Sequence, residues 1–245
     1  NLALLYQTEY KDFKQAEKYY LMAMAKEHVS AMYNLALLYQ TEFKDFKQAE
    51  TYYLMAVAKE HVSAMHNLAL LYKTEFKDFR QAETYYLMAV EKGHAGAMNS
   101  LAWHYFQQKT NKEKALENAR KAYETEKSIH RSHTYAMVLL WHNDIETAVH
   151  VAGDFIKDEK ALEAFPEDVN LFLLLLIAKK QTQLALKLFN ENPHHLKDRF
   201  KPIYYALMIQ MKDEFPNEYR KMGGELTQTV EEILKTIEQL AEDYA

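Results

Sequence analysis

The chain has 245 residues, a net charge of −5, 49% apolar and 27% charged residues, and no cysteine. This balance predicts a folded protein, and the lack of cysteine excludes disulfides, thiolate catalysis and cysteine-based metal sites. Lysine and arginine are scattered among aspartate and glutamate without a basic stripe, so nucleic acid is not expected as a partner. Only 5 glycines and 4 prolines are present, too few for the turns of a β-rich protein.

The first feature along the chain is a repeated string. NLALLYQTE[YF]KDFKQAE starts at Asn1, again at Asn34 and, nearly unchanged, at Asn67, a spacing of 33 residues. A repeat of this length is typical of a solenoid, in which one short unit is stacked many times. Because residue 1 falls inside a repeat, we expect further sequence before it.

The second copy predicts a pair of helices. Apolar residues at helical spacing predict a first helix over 31–40. Asp45, followed three residues later by Gln48, is a capping-box arrangement that predicts the start of a second helix, ending near 59–61. The inner face of this second helix is marked by Ala49, Tyr52, Tyr53 and Ala56.

Two series of residues carry this geometry through five units at steps of 33. The predicted helix caps are Asp12, Asp45, Asp78, Asn111 and Asp144. The small inner residues, which allow two helices to approach closely, are Ala16, Ala49, Ala82, Ala115 and Ala148. A left-handed residue is expected after the second helix at Gly93, where the earlier units carry Glu27 and Glu60.

The register slips after residue 150. Pro166 starts a predicted helix to about 179, and 181–190 is its predicted partner, with Ala185 in the small-residue position. The stretches 201–211 and 216–222 predict an irregular pair. The longest apolar run, Leu171–Ala178, is too short to cross a bilayer, so no membrane insertion is expected.

A final helix is predicted over 225–244, after Gly223-Gly224. It carries a heptad-like apolar seam of Leu226, Val230, Ile233, Ile237, Leu240 and Tyr244. This seam favours a helix that caps the stack, and a dimer contact is the alternative. The sequence thus predicts one continuous solenoid with regular repeats over 1–157, irregular helical repeats over 158–224 and a capping helix over 225–245.

The amino-acid sequence of the units resembles the Sel-one-like subclass of tetratricopeptide repeats. Leu35, Ala36 and Tyr39 match the family's Leu-Gly-x-x-Tyr, with alanine in place of glycine, and the second helix matches at Ala49, Tyr53 and Ala56. The third unit ends in the family's Gly-His-x-x-Ala close, at residues 93–97. The motifs run through residues 1–126 and fade towards 157.

The resemblance implies an all-α solenoid, a right-handed superhelix of antiparallel helix pairs, whose first helices line a concave face that binds peptides or proteins. Three rows of positions would then face a partner. The first row is Tyr33, His66 and Asn99; the second is Leu4, Leu37, Leu70 and Trp103; the third is Gln7, Gln40, Lys73 and Phe106. Apart from Leu4 and Gln7, these residues are the candidate binding residues, because the first row varies between otherwise similar units and aromatics are typical anchors.

Histidines are the other candidate functional residues. His28, His61 and His94 recur at the end of each second helix, where a histidine interacts well with the carboxyl end. Two further groups suggest a metal site only weakly, because no carboxylate completes a ligand set: His130 with His133, and His194 with His195.

The sequence therefore predicts a non-enzymatic scaffold for a protein or peptide partner, with no cofactor and no metal. The first alternative is a structural, self-assembling protein that uses its stack ends or its final helix. The second is an enzyme with a site near His130, His133 or His142. The sequence shows no glycine-rich phosphate loop, nucleophile elbow or zinc-protease motif.

Overall fold

The structure, a computed structural model, describes residues 2–157, 163, 166–191, 196, 199–214 and 228–244. Over these residues the protein consists of fourteen α-helices and two five-residue π-helical turns, without a strand. The predicted all-α class is therefore confirmed.

Residues 1–108 form one compact unit. Its described helices are α1 (Leu2–Thr8), α2 (Phe13–Met24), α3 (Val29–Leu38), α4 (Phe46–Ala58), α5 (Val62–Leu71), α6 (Phe79–Glu91) and α7 (Ala95–Gln108). Each helix packs against the next one in the chain, so the unit is a stack of helical hairpins. We call α1, α3, α5 and α7 the first helices, and α2, α4 and α6 the second helices.

Aspartate caps start all three second helices. The Oδ1 atoms of Asp12, Asp45 and Asp78 accept hydrogen bonds from the amides three residues later, at 3.0, 3.1 and 3.0 Å. These predicted caps are confirmed. In a capping box the Gln48 side chain would also accept a hydrogen bond from the Asp45 amide. That amide instead donates to the Tyr39 carbonyl at 3.0 Å.

A π-helical turn, Tyr39–Phe43, replaces the short polar link expected after the first helix. Its rings pack together, with 5.2 Å between the centroids of Tyr39 and Phe43. The Thr41 hydroxyl donates to the Leu37 carbonyl at 2.9 Å, a bond that favours bending of a helix. The same turn recurs at Tyr72–Phe76, and each one ends in a left-handed lysine, Lys44 or Lys77.

The turns after the second helices contain the expected left-handed residue. Gly93 has φ +79°, and Glu27 and Glu60 adopt φ +58° and +60° in the earlier units. Glycine relieves the steric cost that a side chain meets in this conformation. The prediction of a left-handed cap at Gly93 is therefore confirmed.

The core between successive helices is built on the repeated small residue. Ala16, Ala49 and Ala82 are fully buried, and Tyr20, Tyr53 and Tyr86, one turn later, are buried beside them. A methyl side chain lets the neighbouring helix approach closely, while the tyrosine fills the volume that remains.

Residues 109–245 form a second compact unit. Its described helices are α8 (Lys112–Thr125), α9 (Ile129–Trp141), α10 (Ile145–Ile156), α11 (Pro166–Ala178), α12 (Thr182–Glu191), α13 (Lys201–Gln210) and α14 (Gln228–Asp243). The predicted buried alanines, Ala115 and Ala148, are confirmed, and Ala185 is buried as well. The predicted helices that start at residues 166, 181 and 201 are present.

The predicted cap at Asn111 is wrong, whereas the one at Asp144 is confirmed. Asp144 accepts from the Thr147 amide at 3.3 Å. Asn111 precedes α8 but has φ +48°, and its side chain makes no capping bond. A left-handed residue turns its side chain away from the first-turn amides, which an N-cap in the extended region faces.

The final helix uses its apolar seam within the chain. Val230, Ile237 and Tyr244 are buried, and α14 packs against α11 and α13. The Lys179 ammonium donates to the Tyr244 carbonyl at 2.5 Å. Four sequence predictions lie outside the described residues: the helix over 216–222, Gly223-Gly224, Leu226 and the histidines at 194–195.

The predicted division at residues 157 and 224 concerns repeat register and stays a prediction. In the part of the chain that the structure describes, no helix combines the length and the apolar character needed to cross a membrane.

Candidate interaction face

The candidate interaction face consists of the three predicted rows on the first helices of residues 1–108. The first row lies between neighbouring units. Tyr33 is half-buried, its ring stacks on His61 with 4.7 Å between centroids, and its hydroxyl accepts from Asn67 Nδ2 at 3.1 Å. These contacts join α3 to α5, so Tyr33 contributes to stacking as well as to the surface.

His66 takes the position of Tyr33 one unit later. Its Nε2 lies 3.0 Å from the Ser100 hydroxyl, and its ring is 4.9 Å from that of His94. Burial, with a smaller contribution from His94, lowers the pKa of His66 to about 4. His66 is therefore neutral at physiological pH.

Asn99 ends the first row and is half-buried. Its Oδ1 atom is buried and has no hydrogen-bond partner among the described residues. A buried carbonyl oxygen of this kind favours a donor, from water or from a bound group.

Two of the recurrent histidines cap the next first helix instead of serving the end of the preceding one. His61 Nδ1 accepts from the Ala64 amide at 3.2 Å, and His94 Nδ1 accepts from the Ala97 amide at 3.0 Å. A ring nitrogen that accepts must be unprotonated. The pKa of His61 is lowered by burial, which keeps that nitrogen available.

The second row is apolar. Leu37 and Leu70 are half-buried, and Leu4 is exposed. Trp103 is half-buried and stacks on Phe106 at 5.1 Å between centroids. The structure thus places this row on the surface, with an aromatic side chain at its far end.

The third row is largely committed to internal contacts. Gln40 Oε1 accepts from the buried Tyr53 hydroxyl at 2.7 Å, and the Lys73 ammonium donates to Gln107 Oε1 at 2.9 Å. Burial lowers the pKa of Lys73. Phe106 is 2% exposed, so its expected place on the surface is wrong: it lies beneath Trp103 as a core side chain.

A repeated tyrosine–glutamate contact was not anticipated. The hydroxyls of Tyr39, Tyr72 and Tyr105 donate to Glu17, Glu50 and Glu83, each on the preceding second helix. The Tyr105 bond measures 2.7 Å. The sequence contains a pattern that could have predicted this contact, because a tyrosine follows a glutamate by 22 residues in three successive units.

His104 is a second feature that the sequence did not single out. It is 3% exposed, and its Nδ1 has no hydrogen-bond partner among the described residues. Burial lowers its pKa, the nearby Lys73 lowers it further, and Glu83 opposes this. His104 is therefore a neutral core side chain beneath the face.

Two of the histidines of the alternative enzymatic site, His133 and His142, make contacts within the chain. His133 is buried 3.7 Å from Asp168, and burial lowers its pKa, so the two do not form an ion pair at neutral pH. His142 Nε2 lies 2.8 Å from the Lys112 carbonyl. Within the described ranges no three histidine or carboxylate side chains cluster as metal ligands.

Comparison with known proteins relates the chain to others by fold alone. No protein-family model matches it, and no curated protein matches it significantly. A tetratricopeptide repeat protein from Parabacteroides merdae is similar over 96% of this chain and 95% of that one, with 17% identity and a TM-score of 0.53.

A second solved structure is that of Naa15/Naa10 bound to HypK-THB. All of the present chain aligns there with 38% of the other chain, with 17% identity and a TM-score of 0.52. The fold is therefore that of the tetratricopeptide-like repeat proteins, an all-α solenoid. The Sel-one-like subclass stays a prediction.

Proposed function

We propose that this chain is a non-enzymatic scaffold that binds a protein or peptide segment along its first helices, on the concave face that the fold class implies. The proposal depends chiefly on the half-exposed apolar row of Leu37, Leu70 and Trp103. Beside Leu37 and Leu70, the polar residues of the other two rows are held by internal hydrogen bonds, so these leucines lie between fixed polar rims. Apolar anchors within a polar rim are typical of protein interfaces.

The six remaining candidate residues have different parts in this proposal. Tyr33, Gln40, His66 and Lys73 shape the face through contacts within the unit. Asn99 keeps its Oδ1 atom buried, so it acts from inside the face. Phe106 acts indirectly, by fixing the ring plane of Trp103.

A selection from a random displayed peptide library tests the proposal. We expect enriched peptides to lose at least about tenfold in affinity when Trp103→Ala or Leu70→Glu is introduced, because anchors at interface centres contribute about 2 kcal/mol or more. Leu54→Glu, on a second helix, is the matched control and should bind normally. Thermal unfolding of each variant excludes misfolding as the cause.

Undiminished binding by both Trp103→Ala and Leu70→Glu would refute the proposal. Equal losses in the Leu54→Glu control would refute it as well, since the binding surface would then lie elsewhere.

A further inference from the structure

One position in the third row of the face departs from the earlier units. Gln7 and Gln40 occupy it in the first two units, and each Oε1 atom accepts from a buried tyrosine hydroxyl of the same hairpin, at 2.8 and 2.7 Å. The third unit has Lys73 there, and an ammonium has no lone pair with which to accept. The buried hydroxyl of Tyr86, the equivalent tyrosine, has no hydrogen-bond partner among the described residues.

The exchange of glutamine for lysine is unfavourable within the protein. A buried hydroxyl without a partner costs free energy, and so does a half-buried ammonium without a counter-ion. Lys73 is half-buried, burial lowers its pKa, and it donates to the neutral Gln107 Oε1 at 2.9 Å. In the part of the chain that the structure describes, no carboxylate forms an ion pair with it. Residues that break a packing rule in this way are typical of functional sites.

The surroundings of Lys73 contain little competing charge. The four first helices, α1, α3, α5 and α7, have no aspartate, glutamate, lysine or arginine. The π-helical turn that holds Lys73 also contains Glu75, which is exposed and does not pair with it. Glu83 of α6 accepts from the Tyr105 hydroxyl at 2.7 Å. Since His66 is neutral, Lys73 is the only ionised side chain in the three rows of the face.

This charge lies beside the apolar row. Lys73 follows Leu70 by three residues, and its hydrogen-bond partner Gln107 follows Trp103 by four, so each pair lies on one side of its helix. Leu70 and Trp103 are both half-buried. A partner segment that contacts these two side chains therefore passes the Lys73 ammonium.

We propose that Lys73 selects partner segments in which an aspartate or glutamate neighbours the apolar side chain that contacts Leu70 and Trp103. This selection rests on the proposed function and gives its partner a chemical class. The carboxylate pairs with a half-buried ammonium, where water and salt screen an ion pair less than at an exposed position. The result is a preference for acidic segments over neutral ones of the same shape.

A carboxylate fits this position better than a phosphate group does. Proteins typically bind a phosphate through arginine forks or several donors together. The three rows carry no arginine, and Lys73 is their single cation. One ammonium matches the single charge of a carboxylate.

A first experiment tests the internal cost without a partner. Lys73→Gln copies Gln40, so the Tyr86 hydroxyl should regain an acceptor and the urea midpoint of unfolding should rise. Tyr86→Phe should not lower the midpoint of the parent chain, whereas Tyr53→Phe, which breaks the bond to Gln40, should lower it. A lower midpoint for Lys73→Gln than for the parent would overturn the proposal.

A second experiment measures the preference for acidic segments. Peptides enriched from a random displayed library on the intact chain are synthesised in two forms, with their acidic residue or with the corresponding amide, asparagine or glutamine. We expect the parent chain to bind the acidic form at least about tenfold more tightly than the amide form, and Lys73→Gln to bind both forms equally. Lys47→Gln removes the same charge from an exposed position of α4, and this matched control should keep the difference.

Three outcomes of the second experiment would overturn the proposal. They are enriched peptides without acidic residues, equal binding of the two forms by the parent chain, and an equal preference for the acidic form in the parent and in Lys73→Gln. Trp103→Ala, which tests the proposed function, should weaken the binding of both forms. Loss of the acidic preference alone leaves that function standing, whereas a library that yields no enriched peptide refutes both proposals.

Discussion

At the scale of single residues, one register position serves different purposes in successive units. The Tyr33 hydroxyl accepts a hydrogen bond from Asn67, and the His66 ring lies beside the Ser100 hydroxyl. The side-chain oxygen of Asn99 has no hydrogen-bond partner among the described residues. All three residues lie between units, so each change alters an internal contact as well as the surface. The histidine adds sensitivity to pH at this position.

We expect His66 to make stability depend on pH. Its pKa is about 4 when folded, against 6.5 normally, so the unfolded chain binds more protons between these values. Stability is therefore unaffected above pH 6.5, falls as the pH drops towards 4, and is constant below, with a total loss of at most about 3 kcal/mol.

His66→Asn, which copies Asn99, should remove this part of the pH dependence. Urea unfolding at pH 7 and at pH 4.5 checks it: the variant should lose less stability on acidification than the parent chain. His61 and His104, whose pKa values are also lowered, leave a residual slope. The exposed His150, changed to Asn, is the control, and an identical slope in the His66 variant would contradict the prediction.

At the scale of helices, capping is the contribution that can be tested most directly. Asp45→Ala removes the acceptor for the Gln48 amide and should cost about 1 kcal/mol in the free energy of unfolding. Asp45→Asn keeps a capping oxygen and should cost little. The measurement is urea unfolding, and equal costs for the two substitutions would show that the cap is unimportant here.

The sequence predicted the helices well where the deciding signal is local. A cap needs only an aspartate and the amide three residues on, and the buried alanine recurs at a constant step, so both could be read from position alone. The π-helical turn at Tyr39–Phe43 was missed because a helical pattern of apolar residues does not distinguish the two kinds of helix. Asn111 was misread because asparagine suits both an N-cap and a left-handed turn, so the residue type alone does not decide between them.

The candidate face was predicted less well, because exposure depends on contacts distant in sequence. Gln40 is committed to Tyr53 of the same hairpin, and Phe106 is covered although its register places it in a surface row. Leu37 and Leu70 are half-exposed, as a surface row requires. Spacing identified the row, and packing decided which of its members reach the surface.

At the scale of the whole molecule, a capped stack and a self-assembling one differ in what covers the apolar seam of the final helix. Its seam residues Val230 and Ile237 are buried, and the helix packs on α11 and α13 of the same unit. An apolar seam that is already covered has little left to offer a second copy. We therefore expect the seam to contribute to the free energy of unfolding and to have no effect on the oligomeric state.

Ile237→Ala tests this expectation. The loss of a buried isoleucine typically costs 2 to 5 kcal/mol, so we expect the free energy of unfolding to fall by roughly that amount while light scattering gives an unchanged mass. Lys235→Ala, at an exposed position of the same helix, is the control and should change neither quantity. A dimer contact would give the opposite result, because Ile237→Ala would then lower the mass at low protein concentration and leave the unfolding of the separate chain unaltered. That outcome would favour assembly through the final helix.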